Sequence, residues 1–288
     1  MGLKNYSLEN CEICPQNCGV NRILGEKGIC QMPANIVISS YGPHFGEEPE
    51  LVGLSGSGTI FFTGCNLKCI FCQNWDISHN NIGKSYQNQE VIDIMLYLQE
   101  IGCLNINLVT PTHFSLQLIE ILENAKAQGL KIPIVYNTNC YDKVEILRSL
   151  DGIIDIYMPD LKFIDTEISK KMTRSSNYFE VASAAIIEMH RQVGDLVIKN
   201  GIAKRGLIVR HLVMPNNYSN TIEIIDFIAE KLGTDTYLNL MEQYRPAYKA
   251  YLYNEINKKM LHSEFMNYVK YAIKRGFYRP LKELYSIE

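Results

Sequence analysis

Nine cysteines stand in this chain of 288 residues, and seven of them fall in two groups, at positions 11, 14, 18 and 30 and at 65, 69 and 72. An odd total without an export signal reads poorly as a disulfide scaffold, so metal binding is the stronger expectation. In the segment CNLKCIFC, Cys65, Cys69 and Cys72 are separated by three and then two residues. Thiolates so spaced can wrap one face of an iron–sulfur cube. Three ligands for four irons leave one iron for a small chelating molecule, much as a catalytic zinc keeps an open position. A tetrahedral zinc would want a fourth ligand, and His79 is the nearby candidate. Phe71 would screen a cluster from solvent, and Gly64 lets the chain turn tightly into the loop. The earlier group, Cys11, Cys14, Cys18 and Cys30, suits a closed site: zinc, a second iron–sulfur cluster, or thiols with no permanent metal. Cys103 and Cys140 read as core or rim residues.

Other polar residues gather where apolar runs end. Asp160 and Lys162, two apart in an extended segment, point to the same side; they suit a ligand carrying a carboxylate and an amine, or else form a solvated ion pair. Arg210 and His211 project to opposite sides of a regular strand. Asn137 and Asn139 suit sugar hydroxyls or simple turn formation. Thr110 ends another apolar run. Gln243 and Arg245 face a prospective substrate, as do His113 and His211 unless they serve packing and structural hydrogen bonding, whereas Tyr244 reads as packing. His44 and Glu47, in GPHFGEEP, are weaker candidates.

Residues 1–58 hold four cysteines and several turn-forming stretches, and little regular structure is expected there apart from the short apolar run Ile36–Ile38. Metal ligands would help to order such a segment. From residue 59 apolar runs alternate with amphipathic helices. Strands are expected at 59–63, 104–109, 132–136, 153–158, 207–213 and 237–241. Helices are expected at 89–101, 116–128, 143–149, 178–193 and 221–232, the first with Val91, Ile94, Met95, Leu98 and Ile101 on one stripe. Asn220 with Glu223 reads as the cap of the last. Strands rich in Ile, Val and Leu on both faces, separated by helices, are parallel strands. Six such units are too few for a closed eight-stranded barrel, so the expected fold is α/β, a partial (β/α)6 TIM-like barrel over 59–246, with a doubly wound sheet as the alternative. Residues 247–288 form a C-terminal helical segment, helical over 255–275, with Ile256, Met260, Phe265, Val269 and Ile273 buried; its eight Lys or Arg against four Glu mark a solvated face or a docking surface for an acidic partner.

The formal net charge of −3 argues against broad nucleic-acid binding. No apolar run reaches the ~18 residues of a membrane span, and the first residues lack the apolar stretch of a secretory signal. A cytoplasmic monomer is the default expectation.

The cysteine loop, with its aromatic before the last thiol, resembles the CxxxCxxC signature of the radical S-adenosylmethionine (SAM) enzymes. The order of motifs over 59–246 is similar to the pyruvate formate-lyase activating enzymes. The whole chain resembles their PflX-like subgroup through CEICPQNCGVNR, SSYGPHFGEEPELVG, NINLVTPTHF, IPIVYNTNCYD, IYMPDLKF, GLIVRHLVMPNN and LNLMEQYRP. The resemblance implies that Cys65, Cys69 and Cys72 hold a [4Fe–4S] cluster whose fourth iron is chelated by SAM, and that reductive cleavage yields a 5′-deoxyadenosyl radical that takes hydrogen from a substrate, in activating enzymes a glycine of a partner protein. It also implies a low-potential donor such as flavodoxin or ferredoxin. Asp160 and Lys162 match the group's Asp-x-Lys, and Arg210 stands where a fifth-strand arginine lies near the cofactor. The group's Gly-Gly-Glu-Pro stretch, which meets the cofactor's amine, is replaced here by Val109, Thr110 and Pro111, leaving the Thr110 hydroxyl or a backbone carbonyl as acceptor. Some activators carry extra clusters inserted after the radical motif; this chain has no such insert, and its additional cysteines precede the motif. The competing readings are the same chemistry on a small metabolite or RNA, and a non-enzymatic zinc protein.

Overall fold

The strands of the sheet are β1 (Ile36–His44), β2 (Ser57–Phe62), β3 (Lys84–Tyr86), β4 (Ile106–Val109), β5 (Ile134–Thr138), β6 (Ile156–Pro159), β7 (Val197–Lys199), β8 (Ile202–Leu212) and β9 (Tyr237–Met241). The computed structural model describes residues 6–281; residues 1–5 and 282–288, the outer ends of the two flanking segments, lie outside the described residues. Six strands run parallel in the order β2-β4-β5-β6-β8-β9, and β2 and β9 do not pair with each other. The sheet is therefore an unclosed (β/α)6 barrel, the expected fold. These strands are apolar on both faces because helices cover one side and the barrel interior the other.

The helices are α1 (Pro49–Val52), α2 (Trp75–Ser78), α3 (Asn88–Glu100), α4 (Ser115–Ala127), α5 (Val144–Arg148), α6 (Thr166–Thr173), α7 (Tyr178–Val193), α8 (Thr221–Lys231) and α9 (His262–Arg275). In α3 the stripe Val91, Ile94, Met95 and Leu98 is buried, while Ile101 is exposed because the helix ends before it. Its start is secured by a reciprocal pair of hydrogen bonds between Gln87 and Glu90. The cap expected from Asn220 does not form. Its side-chain oxygen accepts instead from the backbone N–H groups of Ile164 and Asp165, tying the β6 exit to α8, and the N–H of Thr221 is met by Asn217. The C-terminal helix is shorter than expected, but Ile256, Met260, Phe265 and Val269 are buried and Ile273 packs against the core. Arg275 on α9 is bound to Asp226 and Glu230 of α8, so that part of the basic segment is spent inside the fold. Among the described residues no helix is long and apolar enough to cross a membrane.

Residues 36–58 depart from the expectation of little regular structure. β1 pairs antiparallel with β2 from Ile38↔Phe62 to His44↔Ser57, and β3 pairs with its first three residues. Gly42 and Pro43 look like turn residues, but they lie past the stretch paired to β3, where an edge strand tolerates proline.

Candidate active site

β2 delivers the chain through Thr63 and Gly64 to Cys65. Gly64 holds a φ of 81°, and a Cβ there would meet the carbonyl oxygen of Cys30 at 2.7 Å, so only glycine passes this point without strain. The loop is pinned from several sides. The N–H groups of Lys68 and Ile70 donate to the carbonyls of Thr173 and Met172 at the end of α6, the Ile70 carbonyl accepts from Lys249, and the Asn66 side chain donates to the Tyr141 carbonyl. Phe71 sits edge-on to Phe163 and tilts against Tyr244, buried beneath the loop as a screening residue should be.

Each of two sulfurs faces hydrogen-bonding partners. Cys65 accepts from the Leu67 N–H at 3.4 Å and from the Asn139 amide at 3.3 Å, and Cys72 lies 3.2 Å from the Ser78 hydroxyl. Burial pushes the Cys65 thiol up, and the neighbouring Cys72 adds to it; burial pushes Cys69 up strongly against the pull of Lys162. The three thiols thus lie close together, with Cys69 buried and Cys65 and Cys72 half-buried, and burial works against charge at Cys65 and Cys69. A bare thiolate is disfavoured there and a metal-bound one is not, so the donor set fits an iron–sulfur cluster. His79 is not a fourth ligand: its Nε2 is 3.2 Å from the Cys69 carbonyl oxygen, with its ring against Tyr248. Among the described residues no three His, Cys, Asp or Glu side chains are grouped so as to hold a metal ion as they stand.

Beside the loop runs a largely buried ionic chain, each side chain keeping a small exposed part. Lys162 Nζ is 2.9 Å from Asp160 Oδ2; Asp160 Oδ1 is 2.8 Å from Arg210 Nε; Arg210 Nη1 is 2.9 Å from Glu47 Oε2. Parallel pairing of β6 with β8 puts Asp160 opposite Arg210. Burial works against the Asp160 charge, but Arg210 and Lys162 outweigh it and hold the carboxyl at about 2. Lys162 itself is pushed down by burial and, more strongly, up by Asp160 and Cys69, so it keeps its proton between the carboxylate and the cysteine loop.

Several expected cofactor contacts are committed elsewhere. Arg210 also donates to the Asn137 side-chain oxygen, and the Asn137 amide reaches Glu47, so both belong to the barrel interior. The Asn139 amide is turned to Cys65 and Asn66. His211 is fully buried, with its ring nitrogens on the Leu161 carbonyl and the Thr221 hydroxyl, and faces no opening. His113 is likewise buried, with Nε2 on the Thr63 carbonyl. Gln243 and Arg245 are exposed beyond β9, Tyr244 is buried, and His44 packs edge-on against Phe61. Thr110 stands at the β4 exit with φ 58°, a left-handed conformation rare for a β-branched residue. Cys103 and Cys140 are buried, as expected of core residues. Sequence reasoning missed Asn66, Ser78 and Glu48; the last is buried, with one oxygen accepting from the Asn239 amide and the other without a partner among the described residues.

A family model described as the Radical SAM superfamily matches residues 59–228. An uncharacterized protein of Methanocaldococcus jannaschii is 35% identical over 276 residues, covering 92% of this chain and 75% of that protein. The pyruvate formate-lyase-activating enzyme of Listeria monocytogenes is 26% identical over 165 residues, 54% of this chain and 61% of that enzyme. Among solved structures, SuiB of Streptococcus suis bound to its precursor peptide SuiA aligns with a TM-score of 0.53 at 17% identity, covering 78% of this chain and 51% of that one. That likeness is one of fold, and this chain spans about half the length of SuiB.

Proposed function

The chain belongs to the radical SAM superfamily, and on that premise we propose that it is an activating-type enzyme whose substrate is a glycine in a partner protein. When bound at Cys65, Cys69 and Cys72, a [4Fe–4S] cluster supplies the electron that splits the sulfonium of SAM into methionine and a 5′-deoxyadenosyl radical, which takes the substrate's hydrogen. The observation that carries the reading is the cysteine loop at the β2 exit with the Lys162–Asp160 pair beside it.

The protein's own residues do the rest. Lys162, held protonated next to the loop, presents an ammonium to the cofactor's carboxylate, and Asp160, held ionised, presents an acceptor to its amine. Asp160 takes this role because Val109, Thr110 and Pro111 carry no carboxylate where the activating enzymes have one. Asn139 and Leu67 donate to Cys65 and thereby tune the potential of whatever metal that sulfur binds. The electron donor is a low-potential protein of the flavodoxin or ferredoxin kind. A polypeptide substrate is supported by the 165-residue match to an activating enzyme and by the unclosed sheet, which leaves the barrel open along one side.

The test is isotopic. Anaerobically reconstituted protein is reduced with SAM in the presence of an extract from cells grown on α-deuterated glycine, separated into macromolecular and low-mass fractions. Deuterium is expected in 5′-deoxyadenosine with the macromolecular fraction; transfer from the low-mass fraction alone overturns the proposal in favour of a metabolite. Cys65→Ala, Cys69→Ala and Cys72→Ala should each abolish SAM cleavage.

A further inference from the structure

We infer that Cys11, Cys14, Cys18 and Cys30 hold a second [4Fe–4S] cluster, in a frame built directly against the radical loop. The topology brings the four thiols, distant by up to nineteen positions in sequence, around one small cavity that Arg22 and His113 also line.

The size of the cavity separates the candidate metals. It has about 10 Å³ of room, measured to the centre of a water-sized sphere, which is space for about one such sphere. Four sulfurs around a zinc would each lie ~2.3 Å from it and ~3.8 Å from one another, too close for any sphere of that size between them. No three donors among the described residues are grouped to hold a single ion, at this site as at the radical loop, and a space lined by all four thiols suits ligands held apart by a cluster rather than closed on one zinc. A four-iron cube, whose metals and sulfides separate its ligands, leaves such a space.

The surroundings suit anionic sulfur. Cys18 accepts from the Ile29 N–H at 3.4 Å, the N–H groups of Gln16 and Met32 serve Cys14 and Cys30, and an Arg22 N–H faces Cys11 at 3.9 Å. Each sulfur therefore faces a donor, although burial of Cys14 and Cys30 disfavours a free thiolate, and such donors suit metal-bound sulfur. Arg22 is only 2% exposed, and its other partners are the carbonyls of Pro33 and His113 and the ring of Phe114. A buried guanidinium without a carboxylate needs negative charge nearby, and a cluster with four thiolate ligands carries it. The Nδ1 of buried His113 also has no partner among the described residues.

The frame touches the radical loop on both sides of its first cysteine. Gln16 donates to the Asn66 carbonyl at 2.7 Å, His113 holds the Thr63 carbonyl, and the Cys30 carbonyl abuts Gly64. The inference does not rest on the proposed substrate or on SAM chemistry.

The experiment uses full-length protein reconstituted anaerobically with iron and sulfide, assayed for iron, sulfide and zinc and by EPR after reduction. The wild type should hold about eight irons per chain. The variant C65A/C69A/C72A, which leaves the N-terminal frame intact, should keep about four, with a reduced-cluster EPR signal that SAM does not alter. The variant C14A/C18A should keep about four with a signal that SAM does alter. One zinc per chain in the triple variant, or no metal in it at all, overturns the inference even if the double variant fails to fold. Four SAM-insensitive irons in the wild type, lost only from C14A/C18A, would instead leave the inference standing and remove the radical reading.

Discussion

Arg210→Met tests whether the buried ionic chain is scaffold or cofactor contact. The substitution keeps an apolar stem of similar reach and removes the cation that both Glu47 and Asp160 face. Their side chains are only 9% and 21% exposed, so solvent screens the lost charge weakly. Breaking a buried pair by deleting one partner costs about 3–5 kcal/mol. Asp160 retains Lys162 at 2.9 Å, so most of the penalty falls on Glu47 and the expected loss is about 3 kcal/mol. At this chain length that is about 6 °C in Tm. In urea the midpoint should fall with an unchanged slope, which marks a change in stability rather than in the unfolded state. Adding Glu47→Gln removes the stranded carboxylate and should recover about 1–2 kcal/mol, the non-additivity expected of groups in contact. A single variant that costs under about 1 kcal/mol while SAM affinity collapses would refute the scaffold argument and return Arg210 to the cofactor.

Burial, outweighing the Leu161 carbonyl that favours the proton, lowers His211 to about 4. The neutral ring's stabilisation is therefore complete above about 6.5 and lost as pH falls towards 4, a decline of about 3 kcal/mol that denaturation at stepped pH should show and His211→Gln should flatten. Thr110→Gly relieves the left-handed backbone and should raise stability by about 1 kcal/mol in urea melts; a decrease would show that the Thr110 side chain compensates for the strain. Gly64→Ala places a Cβ against the Cys30 carbonyl and should lower stability by about 2 kcal/mol or more, with iron loss from both cysteine groups on dilution; unchanged stability would refute the close approach.

Tyr178–Val193 and Tyr237–Met241 occur at the boundaries expected. Both are long or strongly apolar, and their periodicity is set by burial in the barrel wall. The elements that escaped expectation are short or half-exposed: α6 has one polar face, and β7 is three residues with an outward pattern. The β7–β8 hairpin did carry a signal. Asn200–Gly201 is the Asn-Gly pair that favours a two-residue turn, and both residues take positive φ.

The reactive thiols were legible because covalent spacing along the chain decides which sulfurs share a loop. The polar residues around them were legible in direction but not in partner. Arg210 and His211 leave β8 on opposite sides, as strand alternation requires, yet what each meets depends on residues 50 positions away: Asp160 for one, Leu161 for the other. Asn137 and Asn139 show where alternation itself stops applying. Two apart, they would share a side if β5 continued, but the strand ends at Thr138 and Cys140 turns left-handed. Asn137 therefore stays in the interior network while Asn139 swings to the Cys65 sulfur. Glu47 belongs to a segment that resembles a loop, and it reaches the network only because β1 pairs with β2 down to His44 and Ser57. That hidden strand is what brings the segment's carboxylate beneath Arg210, and with it the counter-charge that leaves the guanidinium little reason to seek another.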